Sequence, residues 1–411
     1  MKQIIAERLK HSRIAIYGVD EHTPKYVNEL KTLFTDIIHL TDFTEEFELQ
    51  PFSTQDIKTI MFDDYCLNKD TYIIITGQFV RSQNKLILLK LREYIDYASI
   101  HIIRAIIRKK NLVTIMGNGG LCQLTAALRS CSEFYKKYHI KYYNGKTLYR
   151  GPRRVQTFLE YKHVTRVSDI YIYNVYSDNT YWKNIIDKEI MCSECKRISI
   201  SGNKFNGLYP QIRNVNRLNG SCFREETISE IPYTYFAFSL YDFVMENFIS
   251  RDFTERGIIR KLMDPWLFTG RQIQYNFDNS INLLKKSDDL ADIKLADEIY
   301  KNKNEIIVSH SLEEWHPKII KYILNQIFEI IGHTEYEYDD EIIEEAIYTW
   351  SGNEIPVYPC ILDHFNLNNK YKNKLYKVVT YKNVRYMNFR EYAEYLSDYC
   401  IKVRKLRDIL Y

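Results

Sequence analysis

Short apolar runs alternate with stretches of helical periodicity along the first half of the chain, which predicts a parallel sheet covered by helices. Arg13 to Gly18 is an apolar strand ending in glycine. After the polar turn Val19-Asp20-Glu21-His22, an amphipathic helix is expected from about Thr23 to Phe34. Asp36 to Leu40 and Thr71 to Gly77 read as further strands, and Lys85 to Tyr97 carries apolar residues at helical spacing. Residues 1–108 are therefore expected to form a Rossmann-like domain. Its glycines are too sparse for the dinucleotide fingerprint, which needs three positioned glycines and a later acidic residue. Nucleotide binding and a structural or partner-binding role both stay open for it.

A second series starts near Asn111, just past the basic run Arg108-Lys109-Lys110. Leu112 to Met116 has the pattern of a buried strand, Gly117-Asn118-Gly119-Gly120 that of a tight turn, and Leu121 to Cys131 that of a helix. Ile140 to Leu148 is a further strand, and Arg150-Gly151-Pro152 breaks the chain before a helix from Val155 to Tyr161. Strands follow at Ser168 to Val175 and at Arg197 to Ser201. Tyr233 to Ile330 is mainly helical, and the tail from Ile355 holds short extended pieces and a last helix from Phe389 to Arg407. The restart of the βα pattern separates a domain 1–108 from a domain 109–411. A chain of 411 residues is expected to divide in this way, because single cores stop growing near ~250–300 residues.

Composition narrows the function classes. Hydrophobic residues make up 45% and charged residues 27%, enough apolar surface for ordinary cores. The net charge of +4 is too thin for the basic stripe of a nucleic-acid binder. The 35 tyrosines and 20 phenylalanines, beside many Ile, Lys and Asn residues, fit an AT-biased genome or a sugar-stacking surface. Charges interrupt the N-terminus before any signal-peptide core forms, and no run reaches the ~18 uncharged apolar residues of a membrane span. The eight cysteines are scattered, which suits reduced thiols and a cytoplasmic location.

In an open parallel sheet, ligands bind beyond the carboxyl ends of the strands, where turns feed helix N-termini. Three loops take that position: Gly117 to Gln123, Tyr176 to Asn179, and Gly202 to Pro210. Gly117, Gly119 and Gly120 let the backbone approach a ligand closely. The helix behind them presents unpaired N–H groups to a phosphate or a developing oxyanion. Cys122, in its first turn or so, is either an activated nucleophile or a small core residue. His316, just before Pro317 and a helix from Lys318 to Ile331, is placed to act as a general base or to make ordinary helix-entry contacts; His310 is its rival. Asp178 and Asn179 either orient a histidine and hold a substrate hydroxyl, or serve as turn formers. Cys192 and Cys195 have zinc-knuckle spacing and Cys222 adds a third thiol, but no second pair completes a site, so no metal is expected. A G-x-S-x-G elbow and a Walker A loop are both absent.

From Asn111 to Leu367 the chain resembles the WcbI-like polysaccharide biosynthesis proteins, acetyltransferases of capsule assembly. The residues that carry the resemblance are Gly117-Asn118 with Leu124, Leu128 and Arg129 behind them, Asp169 to Ile172 followed by Asp178, Asn179 and Tyr181, and Asn206 to Pro210. Glu314-Trp315-His316-Pro317 and Ile355 to Pro359 extend it. Family members carry Gly-Asn-Cys-Gln at the first position; here Gly119 and Gly120 stand where Cys-Gln is found, and Cys122-Gln123 follows about one helical turn later. The resemblance implies an SGNH-like or flavodoxin-like α/β domain with a parallel sheet and helical C-terminal additions.

It also implies an O-acyltransferase that moves acetyl from coenzyme A to a sugar hydroxyl of a surface polysaccharide or its precursor. The expected catalytic residues are Cys122, His316 and Asp178. Gly117, Asn118, Gly119, Gly120 and Gln123 are expected to bind the donor, and Asn179 and Tyr209 the acceptor. Without a transmembrane segment, such a protein is expected to sit in the cytoplasm or at the periphery of a membrane biosynthetic complex. A carbohydrate esterase using the same loops, and a non-catalytic module that binds a nucleotide-sugar or a partner, are the alternatives.

Overall fold

In a computed structural model of the chain, five strands are described among the first hundred residues. From residue 105 on, the structure describes all but 106–108, 118, 146–160, 163, 176–193, 203–204, 215–239, 312–313, 335, 351–353, 380–383 and 411. The expected helices 23–34 and 85–97 fall outside the described residues, save that Tyr97 opens a strand.

The first five strands are β1 (Arg13–Tyr17), β2 (Ile37–Thr41), β3 (Lys58–Met61), β4 (Thr71–Ile75) and β5 (Tyr97–Ser99). They form one sheet in the order β3-β2-β1-β4-β5. Every neighbouring pair is parallel, with Ile14 aligned to Ile37 on one side and to Tyr72 on the other. The chain order reverses between β1 and β4. The apolar runs of β1, β2 and β4 announce them, whereas Lys58-Thr59-Ile60-Met61 and Tyr97-Ala98-Ser99 are too short to show a period.

A second, parallel sheet has the order β7-β6-β8-β9. Its strands are β6 (Asn111–Gly117), β7 (Tyr138–Asn144), β8 (Ile170–Val175) and β9 (Lys196–Ser201). Every residue of β6 from Leu112 to Gly117 is buried, as an unbroken apolar run in a sheet covered on both faces should be. Between β6 and β7 lie α1 (Gly119–Ser130) and the short α2 (Ser132–Lys137). The order of this sheet reverses between β6 and β8.

The rest is mainly helical: α3 (Phe243–Ser250), α4 (Glu255–Leu262), α5 (Gly270–Asp288), α6 (Ala296–Asn302), α7 (Pro317–Ile331), α8 (Asp340–Trp350), α9 (Pro359–His364), α10 (Asn368–Tyr371) and α11 (Phe389–Leu410). Two antiparallel pairs, β10 (Ile212–Asn214) with β11 (Leu240–Asp242) and β12 (Tyr376–Val379) with β13 (Val384–Met387), complete the described elements. Local chemistry sets several ends. Thr269 and Gln272 form a capping box at the start of α5. For α7, His316 is the N-cap, Pro317 takes the first helical position, and Gly332 closes the helix at φ 78°.

The chain divides into two compact units. One comprises Met1–Met116, Ser132–Ile172 and Tyr181–Arg197; the other comprises Gly117–Cys131, Tyr173–Thr180 and Ile198–Tyr411. In the first, the buried hydroxyls of Tyr161 and Tyr171 bond each other at 2.7 Å. In the second, Phe205, Phe277 and Phe365 form an aromatic core, with Trp315 beside Phe205. Tyr161, Tyr171, Tyr209 and Tyr376 are all fully buried, so part of the tyrosine excess is core rather than surface.

Candidate active site

All the residues of the candidate site belong to the second unit. β6 ends at Gly117, and α1 begins two residues later at Gly119; Asn118, between them, lies outside the described residues. Gly117 is required by space. A Cβ there would collide with the side-chain oxygen of Asn174 on β8 and lie 2.5 Å from Leu121 Cδ1. Gly202, just past β9, is held in the same way, because its Cβ would lie 2.6 Å from that of Asn174. Its N–H donates to the Val175 carbonyl at 2.9 Å. The ends of three strands thus close around Asn174. The opening turn of α1 starts from this point with N–H groups that have no partner within the helix. Asp178 and Asn179 lie outside the described residues.

Gln123 joins this turn to a segment 192 residues away in sequence. Its side chain is fully buried. The amide oxygen accepts the Trp315 N–H at 2.8 Å, and the amide nitrogen donates to the Trp315 carbonyl at 3.2 Å. A primary amide matches the donor and acceptor of one backbone residue, so the pair works as a clamp. Gln123, expected as a donor-binding group, fixes the residue before His316. Ser309 bridges Trp315 in antiparallel fashion, and the His316 N–H donates to the Val308 carbonyl at 3.0 Å, so the segment folds back on itself.

His316 Nδ1 accepts the Lys318 N–H at 3.1 Å, as an N-cap side chain does. With Nδ1 accepting, the neutral ring carries its proton on Nε2 and is a donor there. Burial, then His310 when it is protonated, and then Lys370, Lys374 and Lys318, lower its pKa to about 3. A ring in that state donates a hydrogen bond; it does not take up a proton. His310 has the opposite arrangement. Its ring lies 5.6 Å from that of His316, and its Nδ1 is 2.9 Å from Glu354 Oε1. Nδ1 meets the carboxylate at ion-pair distance without the alignment of a hydrogen bond, and Nε2 is buried without a hydrogen-bond partner; a proton on Nδ1 leaves Nε2 as the accepting atom. Glu354 also takes Lys374 Nζ at 2.9 Å and the Lys377 N–H at 2.9 Å. Burial pushes its carboxyl up, but His310, Lys374 and the Lys377 N–H outweigh that and hold it at about 2. Sequence reading missed Glu354 and Lys374, which carry no local motif.

Cys122 is half-buried. Burial, and then the negative Glu314, push its thiol up to about 11, with Arg129 opposing weakly. Its place in the opening turns of α1 does not yield a thiolate. Tyr209, expected to touch an acceptor, is fully buried and donates its hydroxyl to the Ser309 carbonyl at 2.6 Å. It supports the His310 segment from beneath. Among the described residues no three His, Cys, Asp or Glu side chains gather to hold a metal; Cys195 is buried, and Cys192 and Cys222 lie outside those residues.

No protein-family model matches the sequence, and no curated protein matches it. Among solved structures, WcbI aligns over 71% of this chain and 89% of its own, at 13% identity and a TM-score of 0.51. The chain shares its fold with WcbI. WcbI is described as a novel polysaccharide biosynthesis enzyme, in a native form without a disulfide bond between coenzyme A and a cysteine. The relation to WcbI is distant and is one of fold. No helix among the described residues is long and apolar enough to cross a membrane.

Proposed function

We propose that the chain is an O-acyltransferase that moves an acyl group, acetyl from coenzyme A, onto a sugar hydroxyl of a surface or capsular polysaccharide or its precursor. The observation that carries this reading is the Gln123 clamp, which ties α1, one turn past its glycine start, to Trp315 and so to the segment in which the His310 and His316 rings lie 5.6 Å apart. The turn follows β6 where the strand order reverses, the place at which open α/β sheets bind ligands. The order β7-β6-β8-β9 supports an SGNH-like or flavodoxin-like reading of the domain 109–411, and β3-β2-β1-β4-β5 supports a Rossmann-like reading of residues 1–108. The fold shared with WcbI, a polysaccharide biosynthesis enzyme whose structure is described with reference to coenzyme A, supports the donor and the substrate class.

The chemistry is direct transfer. The acceptor oxygen attacks the thioester carbonyl, a C–O bond forms, the C–S bond breaks, and coenzyme A leaves as a thiol carrying the proton lost by the hydroxyl. His310, turned by Glu354, is the residue that receives and passes on that proton. His316 donates through Nε2 to the developing oxyanion, beside the N–H groups that open α1. With its thiol pushed up to about 11, Cys122 is a poor nucleophile, and direct transfer does not call on it. The protein works in the cytoplasm or at the face of a membrane where the polysaccharide is assembled.

Calorimetric and thermal-shift titration with coenzyme A and acetyl-coenzyme A tests the reading, on the wild type and on Gly119→Trp. Binding raises the melting temperature by mass action, and a tryptophan at the mouth of α1 should abolish that rise. No binding by folded wild type overturns the acyltransferase. Release of acetate without any acceptor makes the protein an esterase instead.

A further inference from the structure

A second surface of the same unit is unused by the acyl-transfer chemistry. α4 buries Ile258, Ile259 and Leu262 and packs against α3 and α11. At 3.6 residues per turn, the face opposite that stripe holds Arg256, Arg260 and Lys261, with Gly257 between them. All three cations are exposed, and among the described residues none pairs with an acidic side chain. Exposed apolar side chains bracket the helix. Phe253, 36% exposed, precedes it; Met263, 39% exposed, and Trp266, 85% exposed, follow it. The Trp266 N–H donates to Asp264 Oδ1 at 2.9 Å, which orders the turn and leaves the indole in solvent. One helix on, α5 exposes Arg271 and Tyr275, which is 74% exposed, one turn apart. The acidic side chains of this stretch are Asp252, Glu255 and Asp264, against Arg251, Arg256, Arg260, Lys261 and Arg271.

A single exposed aromatic residue needs no explanation. A helix face made only of cations, flanked by Phe, Met and Trp, has the composition of an interfacial membrane element. Tryptophan prefers the headgroup level, and each basic residue near an anionic bilayer adds attraction. The apolar stripe of α4 is already spent on the core, so the anchors are the flanking side chains. An acidic sugar polymer would engage the cations and stack on Trp266, but it has no use for Met263 and Phe253.

We infer that α4 and the turn leading to α5 dock the protein on an anionic phospholipid surface. Trp266 and Met263 enter the headgroup layer, and Arg256, Arg260 and Lys261 face the lipid phosphates. This inference is independent of the acyltransferase reading, and its test uses no turnover.

Cosedimentation of the full chain with phosphatidylcholine vesicles, with and without phosphatidylserine, at low and high salt, decides it. Wild type should bind the anionic vesicles, ignore the neutral ones, and release as salt rises. The triple variant R256E/R260E/K261E should lose at least about tenfold in affinity. Trp266→Ser should bind several-fold more weakly and lose the blue shift of tryptophan emission that vesicles induce in wild type. Melting curves matching wild type show that either variant is folded, and either alone is sufficient. Wild type that ignores anionic vesicles at low salt, or a folded triple variant that binds them undiminished, overturns the inference. So does retention on an acidic polysaccharide by a protein that leaves vesicles alone.

Discussion

Replacing Gln123 with leucine tests the link between the α1 turn and the histidine segment. Leucine fills nearly the same volume, so the change is chiefly polar. It removes the acceptor for the Trp315 N–H and the donor to the Trp315 carbonyl, bonds of 2.8 and 3.2 Å in a fully buried site. A buried backbone group left unpaired costs about 1–3 kcal/mol, so the two together should cost at least about 2 kcal/mol. At about 1.4 kcal/mol per factor of ten, protection of the Trp315 amide against hydrogen exchange should fall by at least about 30-fold. Exchange read by mass spectrometry on peptides spanning 308–320 measures this directly, and urea unfolding gives the global cost. Gln123→Glu keeps an acceptor for the N–H but loses the donor to the carbonyl, so it should recover part of the protection. Turnover should fall with the protection, because His316 follows Trp315 directly and small displacements of catalytic groups are costly. Protection in Gln123→Leu within about threefold of wild type would refute the clamp, since lost buried hydrogen bonds of this kind cannot cost so little.

Gly117→Ala should destabilise by about 1–3 kcal/mol in chemical unfolding, because its Cβ must displace Asn174 or Leu121 in a packed strand end; a neutral outcome would show that the strand ends yield. Glu354 is held at about 2 in the fold against its ordinary 4.5, so its stabilisation is complete above about 4.5 and fades as pH falls toward 2. That window is worth about 3 kcal/mol, and Glu354→Gln should flatten it in pH-dependent melting; an unchanged acid limb would contradict the ion-pair account. Cys122→Ser should keep turnover within about threefold, whereas His310→Asn should lower kcat by about 10²–10⁴-fold. The reverse pattern would return the chemistry to the thiol.

Histidine and cysteine chemistry was the least legible part of the chain. Residue type and local position made Cys122 and His316 candidates, and the glycine turn made the helix start a plausible anion site. What those side chains can do depends on neighbours far away in sequence. The Cys122 thiol is raised by burial and by Glu314, and His316 is kept neutral by burial and by Lys370 and Lys374. No sequence window contains both His310 and Glu354, or both Gln123 and Trp315.

Elements governed by local forces were readable. The apolar runs of β1, β2, β4 and β6 and the Pro317 start and Gly332 stop of α7 act within a few residues, so propensity, periodicity and capping announce them. β3 and β5 were not readable, because four and three residues cannot show a period, and parallel pairing with β2 and β4 makes them strands. By itself the amino-acid sequence determined the strands β1, β2, β4 and β6, the two ends of α7 and which turn needs glycine. Tertiary structure alone decided that Gln123 is a clamp, that Tyr209 is core, and that Glu354 orients His310. Hydrogen bonds, burial and charge in those pairs depend on distances that only the packed chain sets.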